Sequence, residues 1–244
     1  MLNLKRMTLP DRDRRVVQAV GRFRQLTAFQ VHELVFFGLA SRTPCDRTLK
    51  RLVSSQYLAR IEQARVAGGS KGGAGQYAYQ LGRRGYTLQS DGKVPYRPAR
   101  RVDYHQLLMA DSYLALAKLH RERRLKIEGM AIDDAAWINV GGVDLRPDML
   151  LDISRADGKR HLLWLEVDMA TEGKKQVVGK LDRYWQVVQS GAHGLSEIPR
   201  SVWLACDDER AREMAWIINS LPDDGRRGYF KVVTLDGLSA LFLS

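Results

Sequence analysis

Three acids in the second half of this chain have the spacing of paired carboxylates that do metal chemistry. Asp148 follows Arg146-Pro147, and Glu166 and Asp168 stand at i and i+2 within Leu165-Glu166-Val167-Asp168. Strand alternation would put Glu166 and Asp168 on one side of a sheet, with Leu165 and Val167 on the other, core side. Hard cations such as Mg2+ choose carboxylate oxygens, and a bound ion can activate water and offset charge developing on phosphate. Downstream, Gln176, Lys180 and Tyr184 fall at i, i+4 and i+8, one stripe of a helix. Lys180 on that stripe is a candidate electrophilic helper beside the metal candidates Asp148, Glu166 and Asp168. The same acids would equally suit ion pairs with Arg146, Lys180 or Arg183 at a solvated sheet edge, and spacing alone leaves both open.

A second group of chemistry-bearing residues is basic. Arg42, Arg47, Lys50 and Arg51 surround a predicted helix, and Arg65 and Lys71 flank or occupy a glycine-rich stretch. From Met1 to Arg101 there are 20 Lys and Arg against 6 Asp and Glu; from Val102 to Ser244 there are 19 against 22. The whole excess of +11 is therefore carried by the first segment, which points to a polyanionic partner. The Gly68-Gly69-Ser70-Lys71-Gly72-Gly73 stretch lacks the Gly-Lys-Ser/Thr ending of a phosphate-binding loop and lies between strand-like segments, so it is expected to be a loop tip.

The elements that must position these residues follow from hydrophobic period. Val16, Val17, Val20 and Phe23 recur at helical spacing after Pro10; Thr27 suits the N-cap of a second helix over 28–37, with Val31, Leu34 and Val35 inward. Gly38 ends it, and a third helix is predicted over Pro44–Ser55 with Leu49, Leu52 and Val53 inside. Tyr57–Glu62 and Gln76–Leu81 alternate as strands around a tip at Ala67–Gly75, and Leu81–Leu88 suits a short helix. Three helices and a hairpin in this order predict a winged helix-turn-helix, whose third helix enters the major groove of duplex DNA while the wing meets phosphates. Beyond a Pro- and Arg-rich linker, a helix from Asp103 to Arg124 and strands near 126–130, 146–153, 161–168, 201–206 and 229–233 predict a mixed sheet, with helices over 173–189 and 208–219. The expected fold is thus α/β (α+β): a winged helix-turn-helix at 1–92, a linker at 93–102 and an α/β domain at 103–244.

Composition excludes some classes. No run approaches the 18 apolar residues of a membrane span, and the opening stretch has no apolar core of signal-peptide length, so a cytoplasmic, nucleoid-associated protein is expected. Cys45 and Cys206 lack metal-ligand spacing and fit free thiols of a reducing compartment.

Asp148, a hairpin, Glu166-x-Asp168 and a helix with Gln176, Lys180 and Tyr184 resemble the PD-(D/E)xK nuclease-type fold. Nearly the whole chain resembles the replication-relaxation family of plasmids and integrative elements. The residues that carry this are Leu9-Pro10-Asp11-Arg12-Asp13, Leu26-Thr27-Ala28-Phe29-Gln30-Val31, Arg47-x-Leu49-x-Arg51-Leu52, Tyr77-x-Tyr79-x-Leu81, Arg146-Pro147-Asp148 and Leu165-Glu166-Val167-Asp168-x-x-Thr171-Glu172. The resemblance implies a sequence-specific DNA-binding accessory protein in replication or mobilisation, beside a relaxase or replication protein. A palindromic target would call for a homodimer, because half-site symmetry mirrors protein symmetry. The chain departs from the nuclease pattern at Asp168, where that pattern has a lysine to orient water. This implies a degenerate site without a fixed cofactor; the alternatives are a Mg2+-dependent endonuclease targeted by the winged helix and a transcriptional repressor.

Overall fold

The computed structural model describes residues 9–68, 73–90, 95–191, 197–223 and 225–243, with backbone alone at 62–68 and 73–76. The chain divides into two compact units, Met1–Ala110 and Asp111–Ser244. It is a mixed α and β protein, and none of its described helices is long and apolar enough to cross a membrane.

In the first unit, α1 (Asp11–Phe23) buries Val16, Val17, Val20 and Phe23, as the helical spacing requires. A three-residue strand, β1 (Gln25–Thr27), then leads directly into α2 (Ala28–Val35). Thr27 caps α2: its hydroxyl accepts from Gln30 N at 3.1 Å, and Gln30 Oε1 accepts from Thr27 N at 2.9 Å. α3 (Thr43–Ser54) buries Cys45, Leu49 and Leu52, while Val53 is half-buried. β2 (Leu58–Gly68) and β3 (Gly73–Leu81) form an antiparallel hairpin longer than alternation alone predicts, with an irregularity between Ile61 and Arg65. The unforeseen β1 pairs with β3, giving sheet order β1-β3-β2.

α4 (Arg83–Ser90) packs on the start of β2 through glycine. A Cβ at Gly82 would lie 2.4 Å from the Gln56 carbonyl oxygen, and one at Gly85 would lie 2.2 Å from that of Tyr57. Residues 95–103 then run along the sheet, held by two glutamines acting as surrogate backbone. Gln80 donates to Ala99 O and accepts from Ala99 N, both at 2.8 Å. Gln25 donates to Arg101 O at 3.2 Å and accepts from Asp103 N at 2.8 Å.

The division between units falls inside α5 (Tyr104–Arg121). The second unit is a five-stranded sheet of order β10-β9-β8-β7-β4: β4 (Leu125–Ile132), β7 (Met149–Arg155), β8 (Arg160–Asp168), β9 (Arg200–Ala205) and β10 (Phe230–Val233). The β4–β7 and β7–β8 pairs are antiparallel; β8–β9 and β9–β10 are parallel, as crossovers through α6 (Lys174–Gln189) and α7 (Asp208–Asn219) require. A small hairpin, β5 (Ile138–Val140) with β6 (Val143–Leu145), and two four-residue helices, α8 (Arg226–Tyr229) and α9 (Leu235–Leu238), complete it. The main core buries Trp164, Trp203, Leu181, Tyr184, Val187 and Ile217 between the sheet and α6/α7.

Candidate nucleic-acid interface and carboxylate site

The α3 core residues Cys45, Leu49 and Leu52 leave Thr43, Arg47, Lys50 and Ser54 on the opposite side, at i, i+4, i+7 and i+11. All four are exposed. Arg47 and Lys50 make no ion pair or hydrogen bond among the described residues, so this face keeps two positive charges open to solvent. Arg42, at the N-cap of α3, lies with its guanidinium 5.3 Å from the Phe29 ring centroid.

Arg51 is placed differently from its sequence neighbours. Its Nε and Nη2 bond the two oxygens of Asp13 at 3.0 and 2.6 Å, and the Asp13 side chain is only 3% exposed. Arg51 therefore neutralises a buried carboxylate of α1 and ties α1 to α3. Sequence grouping by charge could not separate this arginine from Arg47; the signal was Asp13 on the inner side of α1, an acid where the helical period calls for burial. On the hairpin, Arg65 is described as backbone opposite Tyr77, its side chain lying outside the described residues, as does Lys71 altogether. Arg60, which the sequence reading passed over, stacks 4.2 Å from the Tyr77 centroid; strand alternation from the buried Ile61 points it outward.

In the second unit, register brings the acids together. Met149 faces Leu165 across the antiparallel β7–β8 pair, so Asp148 and Glu166 are the adjoining positions. Asp148 Oδ2 accepts from Val167 N at 2.7 Å. Glu166 is buried and accepts a short hydrogen bond from the Tyr184 hydroxyl. Burial, then the neighbouring Asp148 charge, pushes the Glu166 carboxyl up to about 8 against the opposing Tyr184 bond and Lys180 charge. Lys180 Nζ sits 2.8 Å from Glu172 Oε1. Burial lowers its basicity, but the bond to Glu172 and the charges of Glu166 and Asp148 leave its pKa above the ordinary lysine value.

Asp168 shares the face of Glu166 but goes elsewhere. Its Oδ1 accepts from Arg210 Nε at 2.7 Å and from Ala170 N at 2.8 Å, and its Oδ2 accepts from Arg210 Nη2 at 3.0 Å. Arg210 also donates to Glu172 O at 2.9 Å and Glu213 Oε2 at 2.7 Å, so β8, its following turn and α7 are fastened together. Both side chains are 4–5% exposed. Thr171-Glu172 does not cap α6; Gly173 is the N-cap and its N–H is bound by Gln176 Oε1 at 3.0 Å. Arg146 is not paired with these acids either: its guanidinium lies over Trp137, 4.7 Å from the centroid.

A Mg2+ ion wants near-octahedral oxygen coordination. Among the described residues no group of three or more His, Cys, Asp or Glu is arranged to hold a metal ion. Asp168 spends both its oxygens on Arg210, and burial beside Asp148 favours the neutral form of Glu166 in the metal-free protein. The thiols of Cys45 and Cys206 are free, and burial pushes that of Cys45 up to about 12.

No curated protein and no solved structure matches the chain. Residues 17–196 match the family described as replication-relaxation, a span that takes in the α3 face, the hairpin, Asp148, Glu166 and Lys180. With the greater part of its length so matched, the chain belongs to the replication-relaxation family.

Proposed function

We propose that this protein is a sequence-specific, double-stranded DNA-binding accessory factor in replication or mobilisation of a plasmid or integrative element. The observation that carries the reading is the α3 face: Thr43, Arg47, Lys50 and Ser54 aligned and exposed, with two cations that have no partner among the described residues, on a helix backed by α1, α2 and a three-stranded sheet. That arrangement supports a winged helix-turn-helix, with α3 as the recognition helix and the β2–β3 hairpin as the wing. Arg47 and Lys50 would read base edges or phosphates; Arg42, Arg60, Arg65 and Lys71 would supply phosphate contacts, and Arg51 would hold α3 in place. A relaxase or replication protein is the natural partner for such a factor, and a homodimer would bind a palindromic site.

In the same reading the second unit is a PD-(D/E)xK-like frame that no longer cuts. Asp148 and Glu166 are adjacent, but the position of the pattern's lysine holds Asp168, which is locked to Arg210. A metal-dependent endonuclease would need Glu166 deprotonated and Lys180 released from Glu172. The test has two arms. Fluorescence anisotropy with duplexes tiled across the element's origin and transfer regions should find one preferred site, and Arg47→Glu with Lys50→Glu should remove the preference while leaving the melting temperature unchanged. Equal binding to every duplex, or undiminished preference in the double variant, would refute the recognition-helix assignment. Supercoiled plasmid with Mg2+ or Mn2+ should remain uncut; nicking lost in Asp148→Asn would establish the endonuclease instead. Footprint protection over a promoter alone would favour repression.

A further inference from the structure

The first unit contains a cavity of about 550 Å³ that has no part in the α3 face. It lies between β1/β3, α4 and residues 96–99, and Asp103 with Gln106 of α5 closes one side. Its size is that of a small-molecule pocket. Three features of its wall restrict what would fill it.

The first is Gln106. It is 6% exposed, and its Oε1 has no hydrogen-bond partner among the described residues. Buried amide oxygens are almost always bonded, and leaving one unpaired is costly. Its neighbours Gln25 and Gln80 each satisfy both ends of the amide on the 99–103 backbone, so Gln106 is the one of the three left with an open acceptor. The second is a pair of aromatic walls: Tyr86 and Tyr96 stand with centroids 5.6 Å apart and planes at 57°, fixed by the Tyr96 hydroxyl bond to Leu81 O at 3.3 Å. The third is charge. Arg24 and Arg97 both line the cavity; among the described lining residues the one acid is Asp103, whose Oδ1 already accepts from the His105 and Gln106 amides.

An amide edge that accepts and donates side by side pairs bidentately with adenine, taking the exocyclic N6–H and offering a donor to N7. Tyrosine faces provide stacking surface for the base, and arginines match a phosphate. We propose that this cavity binds an adenine nucleotide: base on Gln106 and the Tyr86/Tyr96 walls, phosphate toward Arg24 and Arg97. The same chemistry is offered by free AMP and by an unpaired adenine nucleotide of a DNA strand.

Isothermal titration of the full chain with AMP tests this, with GMP and ribose 5-phosphate as controls. AMP should bind saturably, GMP at least about tenfold more weakly, since its exocyclic oxygen faces the Gln106 acceptor, and ribose 5-phosphate not measurably. Gln106→Leu should abolish AMP binding yet melt no lower than the parent, because it removes an unpaired buried oxygen. Arg97→Gln, at an exposed position, should weaken AMP but leave adenosine unaffected. A single-stranded oligonucleotide carrying one adenine in a thymine run should compete with AMP if the nucleotide comes from DNA, and fail to compete if it is free. Absence of saturable heat with millimolar AMP, equal affinity for GMP, or wild-type affinity in Gln106→Leu would overturn the proposal. None of these outcomes depends on whether α3 recognises DNA, so the two readings fail separately.

Discussion

Glu166 gives the sharpest test at the level of a single residue. Its carboxyl is raised in the fold from an ordinary value near 4.5 to about 8, so between those values the folded chain holds a proton that the unfolded chain has released. Its contribution to stability is full below about pH 4.5 and is lost as pH rises through about 8. Glu166→Gln keeps the neutral form and still accepts the Tyr184 hydroxyl. Thermal denaturation should show little difference from the parent at pH 5 and a gain on the order of a few °C at pH 8.5; a variant less stable at both pH values would contradict the protonated assignment. Arg210 gives the opposite case. Arg210→Met leaves Asp168 charged, buried and missing the guanidinium that meets both its oxygens, which should cost roughly 3–5 kcal/mol in urea denaturation. Restoring a neutral partner with Arg210→Met/Asp168→Asn should recover part of the loss. If Asp168 were a metal ligand with Arg210 incidental, the single variant would be nearly silent in metal-free buffer.

At the scale of elements, glycine decides where α4 can sit. Gly85→Ala sets a methyl group against the Tyr57 backbone oxygen, an atom that cannot rotate away, and α4 or the start of β2 must move. The expected loss is roughly 1–3 kcal/mol or more by chemical denaturation, whereas Gly179→Ala, in open space on α6, should stabilise by up to about 1 kcal/mol. The helical elements were legible because each carries a long apolar period: Val16 to Phe23 in α1, and Leu49 and Leu52 in α3. The five strands of the second sheet were also legible, since Leu150–Ile153 and Leu162–Leu165 are dense in strand formers. β1 was not legible, because three residues cannot show a period, and Gln25-Leu26-Thr27 becomes a strand only by pairing with β3. The β5–β6 hairpin and the four-residue helices α8 and α9 escaped for the same reason. Side-chain partnership was the other blind spot. Spacing placed Glu166 and Asp168 on one face correctly, yet nothing in the β8 sequence announces Arg210, 42 residues later, as the guanidinium that separates their roles.

For the whole molecule, the question is how an excess of +11 becomes binding. Net charge produces attraction to any polyanion; selectivity needs charges that are both positioned and unspent. Of the basic residues around α3, Arg51 is spent on Asp13, which makes it a stability residue in a surface that otherwise looks uniform. The two kinds should separate in one experiment. Each phosphate contact contributes a slope of about −0.9 to log K against log salt concentration. Arg47→Gln/Lys50→Gln should make the slope shallower by about 2, if both side chains contact phosphate, without moving the melting temperature. Arg51→Gln should lower the melting temperature, because Asp13 stays buried with a weaker partner, and at temperatures where the fold persists should leave the salt slope nearly intact. A slope that changes equally for all three residues would mean that Arg51 leaves Asp13 on binding, and that α1 and α3 exchange that ion pair for phosphate. In that event the buried carboxylate of Asp13 would be a cost of DNA binding, and Asp13→Asn would tighten the complex.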